Sequence, residues 1–219
     1  MRKINIAIDG PSGAGKSTIS DILANKLGYI HLDTGAMYRT VALKCLEKGI
    51  KLDDEDRVVE LIHTLDFKQT PDGKIFCNGE DISEAIRQNE ISMAASDVSK
   101  LQNVRKALVA LQQKIAEDKG YIVDGRDICE VVLPNAEVKV FLTASAEERA
   151  RRRVEQNIEK GIPADYEEIL EDIKKRDYQD SHREFSPLRK TEDAVEVDSS
   201  NLDIDGVVGV IMNLVNQKL

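Results

Sequence analysis

The sequence predicts an α/β protein: a parallel sheet of about five strands flanked by helices. Three observations carry this. Short apolar runs alternate with segments whose apolar residues recur at helical spacing. The first run stops at a glycine-rich turn that leads straight into an amphipathic segment. One stretch rich in turn signals, 66–82, interrupts the alternation and reads as an insertion.

Taken in order, residues 4–8 form a short buried strand that stops at Asp9-Gly10. Residues 16–27 place Ile19, Ile22, Leu23 and Leu27 at helical spacing, with Gly28 just past the end as a C-cap. A second strand covers 29–32, and a helix over 35–48 is stopped by Gly49. A helix over 53–65 opens with acidic residues, which suit the positive end of its dipole. Residues 66–70, 74–77 and 80–82, separated by Pro71-Asp72-Gly73 and Asn78-Gly79, form a small meander. Helices follow over 90–99 and 101–118, the second with Leu101, Val104, Leu108, Leu111 and Ile115 as one stripe. Strands cover 121–124 and 138–142. An arginine-rich helix over 146–160 ends at Gly161-Ile162-Pro163, and another helix spans 166–183. The last strand is 194–197 and the last helix 204–218. Ligands of such sheets bind beyond the carboxyl ends of the strands, where Asp9, Asp33 and Asp124 fall.

A chain of 219 residues suits one sizeable core with a smaller appended element. Its net charge of −9 argues against a general nucleic-acid binder, so any phosphate chemistry must rely on locally gathered arginines. Cys45, Cys77 and Cys129 are an odd set without a C-x-x-C pair, which speaks against a disulfide framework or zinc site and for a reducing, cytoplasmic setting. No stretch is long and apolar enough for a signal peptide core or a bilayer span.

Gly10-Pro11-Ser12-Gly13-Ala14-Gly15-Lys16-Ser17 fits G-x-x-x-x-G-K-[ST], between a strand and a helix as a P-loop requires. Glycines let backbone N–H groups turn towards phosphate oxygens, and the helix adds its positive end. Lys16 supplies a charge for the β- and γ-phosphates, and Ser17 offers a hydroxyl to Mg²⁺. A ligand-free glycine turn is the bland alternative. The string does not say what is done with the triphosphate, although the base-reading N-K-x-D string of GTPase switches is missing.

Asp124 ends an apolar strand and can hold Mg²⁺ directly or through water; a strand-end turn with Gly125 is the alternative. Asp9 and Asp33 are weaker candidates, equally explained by capping. Arg149, Arg152 and Arg153 share a helix face and form a positive patch without nearby balance on its C-terminal side. This suits a closing lid as well as a solvated charge face. Ile169, Ile173, Arg176, Asp180 and Arg183 form one stripe that begins apolar and ends charged, as for a helix leaving the core for a polar cleft. A surface salt bridge would read the same way. Arg126 and Asp127 follow the strand end directly, so they sit at the cleft mouth, whereas spacing alone does not bring Arg39 and Arg105 to it. His31, His63 and His182 have no partner pattern for acid–base work.

These strings together resemble bacterial cytidylate kinases over essentially the full length: Ile8–Lys16, Leu32-Asp33-Thr34-Gly35-Ala36-Met37-Tyr38-Arg39, Asp124-Gly125-Arg126-Asp127, Glu148-Arg149-Ala150 with Arg152-Arg153, and Lys175-Arg176-Asp177 leading to Asp180 and Arg183. The resemblance implies a P-loop kinase chain. Its core is about 1–62, 119–147 and 184–219, its monophosphate-binding region with the insertion about 63–118, and its lid about 148–165. It implies ATP on Gly10 to Thr18 and Arg149, with Lys16, Arg126, Arg149, Arg153 and Arg183 catalytic. It places Ser96, Arg105 and Asp127 on the cytosine ring, Tyr38, Arg39, Arg126 and Arg183 around the CMP phosphate, and Arg176 and Asp180 near the sugar, with Thr34 also in the CMP site. Thr34 stands where some relatives carry Ser. The expected reaction is ATP plus CMP or dCMP giving ADP plus CDP or dCDP, with Mg²⁺, in a monomer that needs neither nucleic acid nor membrane. Rivals are a UMP, shikimate or dephospho-coenzyme A kinase on the same fold, and a nucleotide-dependent regulatory module.

Overall fold

The computed structural model describes residues 3–70, 72–159 and 161–219. Five parallel strands, β1 (Ile6–Asp9), β2 (Ile30–Asp33), β6 (Tyr121–Gly125), β7 (Val138–Thr143) and β8 (Val195–Asp198), form one sheet in the order β2-β6-β1-β7-β8. Three short antiparallel strands, β3 (Phe67–Gln69), β4 (Ile75–Cys77) and β5 (Glu80–Asp81), form the meander. Pro71 of its first turn lies outside the described residues, as does Lys160 at the end of the arginine-rich helix.

Side-chain parity along the strands divides the core in two. Ile6, Ile8, Ile122, Val138, Val140 and Leu142 face one layer. They bury Ile19 and Leu23 of α1 (Lys16–Leu27) and Val207, Ile211 and Val215 of α8 (Ile204–Asn216). Ala7, Leu32 and Val123 face the other layer. That layer is filled from α2 (Thr34–Glu47), α3 (Glu55–Ile62), α4 (Asn89–Val98), α5 (Gln102–Ile115) and the meander's Ile75 and Cys77. The arginine-rich helix is α6 (Ala146–Glu159), and α7 (Tyr166–His182) packs against it. No helix among the described residues is long and apolar enough to cross a membrane.

The differences from the sequence reading have local causes. β1 extends to Asp9, which pairs with Gly125 and Phe141, while Ile4 and Asn5 precede the ladder. Asn5 instead ties strand starts together: its amide donates to the Ala116 carbonyl at 2.8 Å and accepts from the Tyr121 N–H at 3.1 Å. α3 is shorter than expected because Asp54, not Asp53, caps it. α7 ends at His182, so Arg183 is its extended C-cap rather than the last residue of the stripe. A π-helical turn (Ile128–Val132) and a 3-10 turn (Ala85–Arg87) were not anticipated.

Candidate active site

The phosphate loop is shaped by what cannot fit around it. A Cβ on Gly10 would lie 1.9 Å from the Leu142 carbonyl oxygen, so only glycine lets the chain leave β1 against β7. Gly15 is the N-cap of α1 in a left-handed conformation and offers no side chain to the first N–H groups of the helix. Those donors and the helix dipole make an anion site. Lys16 is buried, and its Nζ donates to the Pro11 carbonyl at 2.8 Å, arching the loop over itself. Burial and the neighbouring Arg126 charge lower its pKa to about 7. Thr18 lies exposed in the first turn of α1.

Ser17 Oγ donates to Asp124 Oδ2 at 3.1 Å, so the two residues read as a metal-side pair do meet. Asp124 has a second neighbour that sequence reasoning passed over: His31 Nε2 lies 2.9 Å from Oδ1 and His31 Nδ1 lies 2.7 Å from Asp21 Oδ1. Spacing along the sequence does not reveal these neighbours, since both carboxylates come from other elements. Burial would lower the imidazole, but its hydrogen bonds to Asp124 and Asp21 outweigh this and raise it to about 10. Burial would raise the Asp124 carboxyl, but the His31 hydrogen bond and charge hold it below the ordinary range. Asp9 caps the turn after Asp127, its carboxylate accepting from Ile128 N and Cys129 N at 2.8 Å each. Asp33 accepts from Ala36 N at the start of α2 and from Arg39 Nη2 at 2.9 Å. Thr34 donates its hydroxyl to the Asp124 carbonyl at 2.7 Å.

Across the sheet's carboxyl edge the arginines converge. Arg126 Nε donates to Asp180 Oδ2 at 2.7 Å, joining the end of β6 to α7. Burial, and then the nearby charges of Arg126, Arg39 and Arg153, draw Arg176 down to about 10 despite Asp180. Arg183 donates to the Ser186 carbonyl at 2.5 Å; burial and the neighbouring Arg105 lower its pKa. Arg105, buried on α5, donates to Asp127 Oδ2 at 2.5 Å and to the Ser99 carbonyl at 3.1 Å, and stacks 5.5 Å from the Tyr38 ring centroid. Burial raises the Tyr38 phenol to about 12. Ser96 lies half-buried on α4, one turn before Ser99. Arg39 Nε, Arg105 Nε and one Arg183 terminal nitrogen, Nη2, are buried donors without an acceptor among the described residues. Guanidinium groups with spare buried donors, gathered within reach of one another, match an anionic ligand.

α6 is balanced, contrary to the sequence reading. Arg149 is 4% exposed and grips Asp177 of α7 with both terminal nitrogens, at 3.0 and 2.5 Å. It also donates to the Ser12 carbonyl at 3.0 Å, so it lies against the phosphate loop. Arg152 does not share its direction: it donates to the Ser199 hydroxyl and carbonyl at 3.2 and 2.6 Å, where the chain leaves β8. Arg151 is exposed and pairs with Glu148. Arg153 is exposed but close enough to act on Arg176.

Comparison with known proteins identifies the family. The cytidylate kinase family model matches residues 6–217. The cytidylate kinase of Caldicellulosiruptor bescii is 55% identical over 98% of this chain and 96% of its own. The cytidylate kinase of Bacillus subtilis is 50% identical over 99% and 98%. Among solved structures, a gluconokinase from Sinorhizobium meliloti aligns over 99% of this chain and 95% of its own with a TM-score of 0.51 at 17% identity. A shikimate kinase from Bacteroides thetaiotaomicron aligns over 98% and 99% with a TM-score of 0.51 at 13% identity, a likeness of fold. With its phosphate loop, arginine cluster and nearly full-length sequence match, the chain belongs to the cytidylate kinase family.

Proposed function

We propose that the chain transfers the γ-phosphate of ATP to CMP or dCMP, giving ADP and CDP or dCDP. The observation that carries this reading is the arginine cluster of Arg39, Arg126, Arg176 and Arg183 beside Lys16, bounded at one end by the Arg105–Asp127 pair. An acceptor that is itself a phosphate monoester needs such a cluster; a neutral acceptor does not.

In this reading the triphosphate lies on Gly10 to Thr18, with Lys16 on its outer phosphates. Arg39, Arg126 and Arg183 hold the acceptor phosphate, Tyr38 and Thr34 shape its pocket, and Arg176 and Asp180 lie near the sugar. Asp127 accepts from the cytosine amine while Arg105 and Ser96 donate to the ring's acceptors. Arg149 and Arg153 bring charge to the transferring group when residues 148–165 close as a lid. The acceptor's phosphate oxygen attacks the γ-phosphorus as the bridging oxygen to ADP leaves, so positioning and charge neutralisation suffice, without a covalent intermediate. Ser17 and Asp124 are the residues that would hold Mg²⁺: an oxygen pair suits that ion, which takes its remaining ligands from water and phosphates. When bound, the ion neutralises phosphate charge. Buried Cys45, Cys77 and Cys129, none of them in a disulfide, fit a reducing cytoplasm, and the reading takes the chain as a monomer.

The test is ADP release with ATP and each of CMP, dCMP, UMP, AMP, shikimate and dephospho-coenzyme A. CMP and dCMP should give the highest kcat/KM. Preference for shikimate or dephospho-coenzyme A, or hydrolysis without acceptor phosphorylation, would overturn the reading.

A further inference from the structure

The metal-side carboxylate is part of a closed hydrogen-bonded circuit. Ser17 Oγ reaches Asp124 Oδ2, Asp124 Oδ1 faces His31 Nε2, and His31 Nδ1 faces Asp21 Oδ1. Ser17 and Asp21 are four residues apart on α1, so they stand one above the other on the same side of the helix. Asp33 pairs with Asp124 in the β2–β6 register, which makes His31 a diagonal neighbour of Asp124 on one sheet face. The circuit thus begins and ends on α1 and spans two strands.

Its chemistry fixes more than stability. The imidazole is pinned at both edges, Nε2 against Asp124 and Nδ1 against Asp21. His31 is 6% exposed and Asp124 4%, whereas Asp21 is 49% exposed and anchors the ring from the solvent side. The terminal torsion of an aspartate is intrinsically broad. Here one oxygen is committed to His31, which turns the other towards Ser17. The nucleotide and acceptor sites do not otherwise use His31 or Asp21.

We infer that His31 is a positioning residue: held from behind by Asp21, it aims the Asp124 carboxylate at Ser17 and so sets how tightly a divalent-metal nucleotide is held. This rests on the metal-side role proposed for Ser17 and Asp124. Partners one shell out from a metal site commonly change metal affinity or activity by about 10–100-fold when removed.

The experiment compares wild type with His31→Leu, His31→Gln and Asp21→Asn. Calorimetry gives ADP affinity with and without Mg²⁺, and rate measurements give the half-saturating Mg²⁺ concentration and the KM for CMP. His31→Leu should weaken the Mg²⁺ dependence about tenfold or more, with metal-free ADP affinity and CMP KM within about twofold of wild type. His31→Gln, whose amide can reach as Nε2 does, should restore most of the loss. Asp21→Asn, at a half-exposed position, should shift the Mg²⁺ dependence about threefold or more in the same direction. Wild-type Mg²⁺ dependence in folded His31→Leu overturns the inference, as does an equal loss with and without metal. If His31→Leu does not fold, an unshifted Asp21→Asn overturns it. Wild type that ignores CMP would instead remove the functional reading, while the metal-dependent binding of ADP would still be measurable.

Discussion

Replacing Asp127 with Ala strands a guanidinium in the interior. Arg105 and Asp127 side chains are 6% and 7% exposed and meet at 2.5 Å. Without the carboxylate, Arg105 keeps the Ser99 carbonyl and the Tyr38 face, while its Nε already has no acceptor among the described residues. Removing one half of a buried pair costs about 3–5 kcal/mol. At about 2–4 °C per kcal/mol for a chain of this size, the melting temperature should fall by about 6–20 °C. Asp127→Ala combined with Arg105→Met removes both charges and should recover most of that loss, because the pair repays little beyond its own desolvation. Turnover should not recover, since the proposed cytosine contacts are gone in both variants. A loss of more than tenfold in kcat/KM for CMP, about 1.4 kcal/mol, is expected in each. Thermal melts and coupled ADP release measure the two halves separately. A melting temperature within about 2 °C of wild type in Asp127→Ala refutes the stability argument. A loss of CMP turnover under tenfold refutes the base-reading role.

Three further outcomes follow from the same site. Lys16 falls from 10.5 to about 7 on folding, so between those values the folded chain holds fewer protons and this group makes stability rise with pH. A bound polyphosphate restores the charge, so ADP binding at pH 8 should take up about 0.9 proton, seen as a buffer-dependent calorimetric enthalpy; no buffer dependence defeats this. Gly10→Ala puts a methyl 1.9 Å from the Leu142 carbonyl oxygen and should abolish ADP binding or soluble expression, and a variant with wild-type affinity would contradict the loop geometry. Arg149→Lys trades a two-pronged grip on Asp177 for a point charge and should lower kcat about 100-fold with little change in CMP KM, whereas an unchanged kcat removes Arg149 from the transfer step.

The readable features are those whose partners lie close in sequence. The phosphate loop is contiguous with the strand before it and the helix after it, so residues 6–27 announce themselves. The α7 stripe from Ile169 to Asp180 follows from helical spacing, and each of those side chains is half-buried. The balance of Arg149 by Asp177 was missed because those residues are 28 apart on different helices. The turn after Asp127 was missed because its cap, Asp9, lies 119 residues earlier. His31 carried a faint signal: it shares the parity of Asp33 on β2, beside a helix with Ser17 and Asp21 one turn apart. Nothing in that spacing names Asp124, which is 93 residues away. By itself the sequence determined the layers, the phosphate loop and the identity of most charged groups, because hydrophobic periodicity and backbone conformation act over a few residues. Only the tertiary structure decided which arginine meets which carboxylate and which donors are left over. Those pairings are set by the strand order and by how the helices pack, and a carboxylate looks the same in sequence whether its partner is a turn, a guanidinium or an imidazole.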